Sequence, residues 1–196
     1  MSATQTLAVG LRNPGARYEA TRHNFGGDVV ALVAERHGSS FKKAKRFMRA
    51  EVAEITTAAF RLVVARPTTF MNEAGQAVAP LARYFHVERD DLLVVHDDID
   101  VPFGRLKVQF GRGSGGNNGV ASVMRSLGTG DFWRLKCGVG RPPGSVDPAD
   151  HVLHRFTSTE IEEAALMRTL AADVVELFAE QGGEAARQRA GELSAP

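Results

Sequence analysis

Short apolar runs that stop abruptly at turn-forming polar residues, with helical stripes between them, restrict this chain to a β-sheet covered by helices. Thr6 to Leu11 is such a run and closes in Asn13-Pro14-Gly15, which reads as a buried strand ending in a turn. Phe25, Val29, Leu32 and Val33 then recur at helical spacing until Gly38, with Thr21 expected as the N-cap. Arg49 to Ile55 and Phe60 to Arg66 are β-rich on either side of Thr56-Thr57-Ala58-Ala59, the pattern of an antiparallel hairpin. Val78, Leu81, Ala82 and Phe85 mark a second helix, which Pro80 should kink or start late. Asp91 to His96, Arg105 to Phe110 and Phe132 to Val139 are further strands, the last two separated by a glycine-rich loop and a helix from about Gly119 to Leu127. From Thr159 to about Gln181, Ile161, Ala165, Leu166, Leu170, Val174, Leu177 and Phe178 form a stripe expected to cover the sheet. Strands alternating with helices, plus one hairpin, predict an α/β fold: one three-layer domain over residues 1–196, a mixed twisted sheet flanked by helices, with a mobile tail after about residue 183.

With 196 residues and 43% hydrophobic content, the chain can bury one substantial core. Its longest apolar stretches, such as Leu62-Val63-Val64-Ala65, are far short of a membrane span and the first residues lack a signal-peptide pattern, so the protein is expected to be soluble and cytoplasmic. The one cysteine, Cys137, has no internal disulfide partner and reads as a small buried apolar residue.

A net charge of +1 conceals an uneven distribution. Residues 1–50 hold nine Lys or Arg against three acids, with Lys42, Lys43, Lys45, Arg46 and Arg49 clustered, and residues 101–141 hold seven against one. From Ser158 onward eight acids face three basic residues. Such basic regions attract a phosphate-bearing partner, although a solvated charged face is an equal reading on charge alone.

Reactive side chains gather at the expected strand ends: Thr21-Arg22-His23-Asn24, Met71-Asn72, His96-Asp97-Asp98 and Gly115-Gly116-Asn117-Asn118-Gly119. A His, an Asp and several Asn on loops of a rigid sheet point to a hydrolytic site rather than to core. Asparagines at turns also serve the backbone, a role that fits part of Asn13. Two other readings stay open. The cluster His96-Asp97-Asp98-Ile99-Asp100 holds enough ligands for a metal, but neighbours at a strand end point to opposite faces, so His96 and Asp97 do not readily converge on one ion, and Asp98 and Asp100 fit the turn before Pro102. Gly111 to Gly116 formally matches G-x-G-x-x-G with Asp131 about twenty residues on, a dinucleotide-site pattern, but the loop is far from the first strand and Asp131 precedes the next strand instead of ending it.

Together and in this order, followed by Arg134-Leu135-Lys136-Cys137-Gly138-Val139-Gly140-Arg141-Pro142, these motifs resemble the bacterial peptidyl-tRNA hydrolase family along nearly the whole chain. The resemblance implies a monomeric esterase that cleaves peptide from tRNA, engages the acceptor arm and 3′ end of peptidyl-tRNA, and needs no metal, other cofactor, membrane or obligate protein partner. It implies His23 as general base and Asp97 as its orienting partner. It implies substrate contacts at Asn13, Tyr18, Met71, Asn72, Asn117, Asn118 and Lys136, with Asn13, Asn72 and Asn118 holding the peptide carbonyl, the attacking water and the terminal adenosine. The chain departs from the family at three positions. Asn117 stands where a histidine is usual, Gln109 where a lysine is usual, and Lys136 where an arginine is usual. The last two positions are associated with the tRNA 5′-phosphate, and Lys136 keeps a charge without the bidentate geometry of arginine, while Arg112 is placed to compensate. A weakly active or non-catalytic RNA-binding paralogue of the same fold is the alternative.

Overall fold

The computed structural model describes residues 5–194, which form one seven-stranded mixed sheet with helices on both faces. The strands are β1 (Gln5–Gly10), β2 (Lys42–Lys43), β3 (Ala50–Thr56), β4 (Arg61–Pro67), β5 (Leu92–Asp98), β6 (Leu106–Phe110) and β7 (Trp133–Gly138). Their order is β2-β3-β4-β1-β5-β7-β6. The centre, β4-β1-β5-β7, is parallel, and both edges are antiparallel: β3 folds back on β4 as the expected hairpin, and β6 on β7. Central strands buried on both faces need continuous apolar runs, which is what Leu7 to Val9 and Leu92 to Val95 supply.

Period-two alternation divides the core into two layers. Ala8, Leu93, Val95, Leu135 and Cys137 face α1 (Phe25–Arg36), α5 (Ile161–Gln181) and α6 (Gly183–Leu193). Leu7, Val9, Val63, Ala65 and Val94 face α2 (Gly75–Tyr84) and α3 (Asn118–Leu127). Helix α1 crosses β1 at glycine contacts: a Cβ on Gly10 would overlap the Gly26 carbonyl, and one on Gly26 would overlap the Val95 carbonyl. This close crossing sets where the start of α1, and His23 just before it, stand relative to β5.

Several details differ from the sequence expectation. A 3-10 turn, Arg22–Asn24, precedes α1, and Thr21 makes no side-chain cap because its hydroxyl donates to the Tyr18 carbonyl (2.7 Å). Helix α2 begins at Gly75 and runs through Pro80, so the proline does not delay its start. In α5 the buried residues are Ala164, Met167, Ala171, Ala172, Val174, Val175 and Phe178; Val174 and Phe178 fall on the expected stripe, while Ile161 and Leu166 are exposed and Ala164 and Met167 take their place against the core. The segment expected as a mobile tail is corrected: it forms α6, where Gly183 lies directly on the Trp133 ring, Ala186 and Ala190 are buried, and the Ser194 hydroxyl donates to the Leu106 carbonyl (2.8 Å). Residues 195–196, the end of that expected tail, lie outside the described residues. The two-residue strand β2 and the short helix α4 (Pro148–Leu153) were not anticipated. Among the described residues no helix is long and apolar enough to cross a membrane.

Candidate active site

The carboxyl ends of the parallel strands open onto one cavity of about 680 Å³, the position where an α/β sheet offers loops from several strands at once. Asn13 arrives from the turn after β1, Met71 and Asn72 from a 3-10 turn after β4, and Asp97 from the end of β5. His23 comes from the turn before α1, Asn117 and Asn118 from the loop entering α3, and α4 covers one side with Pro148, Val152 and Leu153. Residues from six separate stretches of sequence thus share one wall-lined space.

His23 and Asp97 form its polar centre. Asp97 lies on the α1 face of β5, and its carboxylate receives the imidazole Nδ1 at 2.9 Å from Oδ1 and 3.0 Å from Oδ2. The histidine side chain is 12% exposed and the aspartate 3%, so the contact is shielded from solvent on most sides. Burial disfavours the imidazolium, but the charge of Asp97 and its hydrogen bond outweigh that and hold the His23 pKa above its ordinary value. A carboxylate on Nδ1 keeps the proton there and leaves the Nε2 lone pair available in the neutral ring.

The asparagines divide between scaffolding and the cavity. Asn13 N–H donates to Asn24 Oδ1 (2.8 Å) and Asn24 Nδ2 returns a bond to the Asn13 carbonyl (2.9 Å), so a side-chain amide joins the turn after β1 to the start of α1 as a strand neighbour would. Asn13 Oδ1 accepts the Met71 N–H (2.8 Å), which fixes the β4 turn to the same point. The Asn13 amide nitrogen is then its group on offer to the cavity. Asn72 and Asn118 line the cavity with exposed side chains. Met71 is buried and supplies an apolar wall, and Tyr18 stands edge-on to Phe70 at a centroid separation of 6.4 Å.

A family model described as peptidyl-tRNA hydrolase matches residues 7–195. The chain belongs to the peptidyl-tRNA hydrolase family. Among its relatives, the peptidyl-tRNA hydrolase of Mycobacterium tuberculosis (strain H37Rv) is 48% identical over 187 residues, 95% of this chain and 97% of that protein. The one from Rhodococcus erythropolis is 46% identical over 189 residues, 96% of this chain and 99% of that protein. The crystal structure of peptidyl-tRNA hydrolase from Acinetobacter baumannii superposes with a TM-score of 0.87 at 27% identity, covering 97% of this chain and 94% of that one.

The positions where this chain departs from the usual family pattern are informative. Lys136 does not line the cavity; it points to the α2/α3 face of the sheet, where Nζ pairs with Asp98 Oδ2 at 2.8 Å. Burial raises the Asp98 pKa, yet the bonds from Lys136 and from the Asp100 N–H prevail and hold it below its ordinary value. Lys107 stands directly opposite Lys136 in the β6–β7 ladder and is exposed, and Gln109 lies opposite Arg134. Asn117 lines the cavity but its amide is bonded within the protein at both ends.

The rival readings meet specific obstacles. His96 and Asp98 lie on the face of β5 opposite Asp97, and His96 is fully buried with Nδ1 donating to the Asp97 carbonyl (2.7 Å). Burial lowers its pKa to about 4, which keeps the ring neutral. The glycine loop joins β6 to α3 and β7, but β6 and β7 are antiparallel, so the βαβ unit that a dinucleotide fingerprint requires is missing there. Cys137 is fully buried at the register of Asp97, and burial pushes its thiol pKa up.

Two participants escaped the sequence reading. Arg134, 1% exposed, donates through Nη1 to the Gly113 carbonyl (2.8 Å) and through Nη2 to the Gly111 carbonyl, holding the glycine loop from beneath. Arg22, equally buried, donates to the His154 carbonyl (3.2 Å) and the Arg155 carbonyl (2.7 Å) and pairs with Glu160 (2.7 Å), tying the chain after α4 to the His23 turn. A buried arginine carries no periodic signal. Only its neighbours identify it.

Proposed function

We propose that this protein hydrolyses the ester between a peptide and the 3′ end of tRNA, with His23 as general base and Asp97 as its orienting carboxylate. The observation that carries the reading is the His23–Asp97 pair, buried on the Nδ1 side and bordering the cavity on the other. Water bound near Nε2 loses its proton to the ring as it attacks the ester carbonyl, and the imidazolium that forms is stabilised by Asp97. The Asn13 amide donates to the oxygen that gains negative charge, and Asn72 and Asn118 hold water and the terminal ribose and base. Tyr18 and Met71 border the peptide end. The intact base pair favours this enzyme over a non-catalytic RNA-binding paralogue. Every group assigned to the mechanism comes from one chain, which supports a monomer as the working form.

Incubation with N-blocked aminoacyl-tRNA, with and without a chelator, tests the reading: chelator-resistant release of free tRNA supports it, and intact ester under both conditions refutes it. The rate has a defined pH dependence. A raised His23 pKa keeps the ring protonated to higher pH, so kcat should climb with a midpoint above the free imidazole value of about 6.5. A midpoint below that value in a pH–kcat series would exclude His23 as the titrating base.

The basic segment Lys42 to Arg49 adds an RNA-facing surface at the same end of the sheet. Its last residue, Arg49, accepts the Thr68 N–H through its carbonyl (2.9 Å) close to the Asn72 turn, and Phe47 is exposed among the cations. The 5′-phosphate grip is weaker than in the usual family pattern, because Gln109 is neutral and Lys136 is engaged by Asp98. Gln109→Lys with Lys136→Arg should tighten binding of 5′-phosphorylated tRNA more than of dephosphorylated tRNA, and steepen the salt dependence by about one unit of slope. Equal affinity for the two tRNAs before and after substitution would show that these positions do not read the phosphate.

A further inference from the structure

Asn117 is committed at both ends of its side chain. Oδ1 accepts the N–H groups of Gly119 (3.0 Å) and Val120 (3.1 Å) and so caps α3. Nδ2 donates to the Asp97 carbonyl (3.2 Å) and to Asp97 Oδ1 (3.4 Å), the oxygen that also meets His23. Both acceptors of the Asn117 amide nitrogen thus belong to one aspartate, so the side chain is oriented by the catalytic pair and by the α3 terminus.

We propose that Asn117 is a positioning residue, not a substrate contact: it fixes the rotation of the Asp97 carboxylate and, through it, sets the proton affinity of His23. The inference rests on the reading of His23 as the base. The physical argument has two steps. First, a carboxylate given another donor holds its negative charge more easily and draws less on the imidazole proton. Second, the cap ties that donor to the first turn of α3, so the α3 terminus and the base pair are oriented together. The groups around His23 allow this control to be direct. Asp97 is its contact on β5, Asp98 is turned to the other face and paired with Lys136, and Cys137 on β7 is a buried thiol. Asp147 caps α4 on its side of the cavity, His151 points at the Val139 carbonyl (3.5 Å), and Arg22 is paired with Glu160.

Two variants separate capping from donation. Asn117→Ser keeps a cap oxygen and removes both donors; Asn117→Asp keeps the cap and sets a second carboxylate beside Asp97. The His23 pKa, read by NMR titration of the free full-length protein, should rise by a few tenths of a unit in Asn117→Ser and by about one unit in Asn117→Asp. With N-blocked aminoacyl-tRNA, kcat should fall about 3- to 30-fold in Asn117→Ser while KM stays within about twofold, and the melting temperature should stay near that of the parent because the cap remains. A raised KM with unchanged kcat and an unmoved His23 titration would make Asn117 a substrate contact and overturn the proposal. The NMR titration needs no turnover, so a shifted His23 pKa in a protein whose His23→Ala form remains active would fault the catalytic reading and leave the coupling of Asn117 to the pair standing.

Discussion

His23→Ala is expected to lower the rate of ester cleavage by roughly two to four orders of magnitude, the contribution of one positioned general base. The loss is expected in kcat, because the ring is assigned to the chemical step and not to holding the tRNA. Folding should survive, since His23 lies in a short turn and its neighbours Arg22 and Asn24 carry the structural bonds to the α4–α5 connection and to Asn13. The substitution does leave Asp97 buried with Asn117 as its side-chain donor, a deficit of about 1–3 kcal/mol in stability. A thermal melt with single-turnover kinetics on N-blocked aminoacyl-tRNA checks both statements. Near-parental turnover in the folded variant would remove His23 from the mechanism.

Asp97→Asn is expected to be almost as damaging, about two to four orders of magnitude in kcat, for a different reason. Asn117 donates to Oδ1, so an asparagine at position 97 turns its carbonyl toward that donor and presents its amino group to the imidazole. An N–H facing Nδ1 forces the ring proton onto Nε2, the atom that must accept a proton from water. The same change removes the charge that raises the His23 pKa and leaves burial to act alone, so the acid limb of the pH profile should move down even as the plateau collapses. Affinity for an uncleavable tRNA analogue should change far less. If binding weakens while kcat at saturation holds, Asp97 is a substrate contact and its assigned role is wrong.

The sheet and the strand-end loops were legible because their signals are local. An apolar run followed by Asn-Pro-Gly or by His-Asp-Asp marks both a buried strand and where it stops. The hairpin of β3 and β4 and the strands carrying Asp97 and Cys137 stand where that pattern puts them. What escaped is governed by packing. Helix α6 buries Gly183, Ala186 and Ala190, residues too small to register as an apolar stripe, yet they allow the helix to lie directly on Trp133. In α5 the buried face begins at Ala164 and Met167 in place of Ile161 and Leu166, and rejoins the expected stripe at Val174 and Phe178. Helix α4 is a six-residue segment, Pro-Ala-Asp-His-Val-Leu, mostly open to solvent with Val152 alone buried, too short for a helical period to show in the sequence. At the site, the His23–Asp97 pairing was readable through the family resemblance, whereas the double engagement of Asn117 and the burial of Arg134 depend on contacts between segments distant in sequence.

The reciprocal amide bonds between Asn13 and Asn24, with Met71 added through the same Asn13 side chain, have a thermodynamic consequence. Three loops that would otherwise each sample many arrangements are ordered by folding itself, through bonds made between buried residues. On the proposed reading, an arriving ester meets loops already joined to one another, and little of its binding free energy is consumed in ordering the protein. More of it remains for aligning the peptide carbonyl with the attacking water. On that reading, the rate draws on the geometry of these loops more than on contacts that any one side chain of the peptide must make.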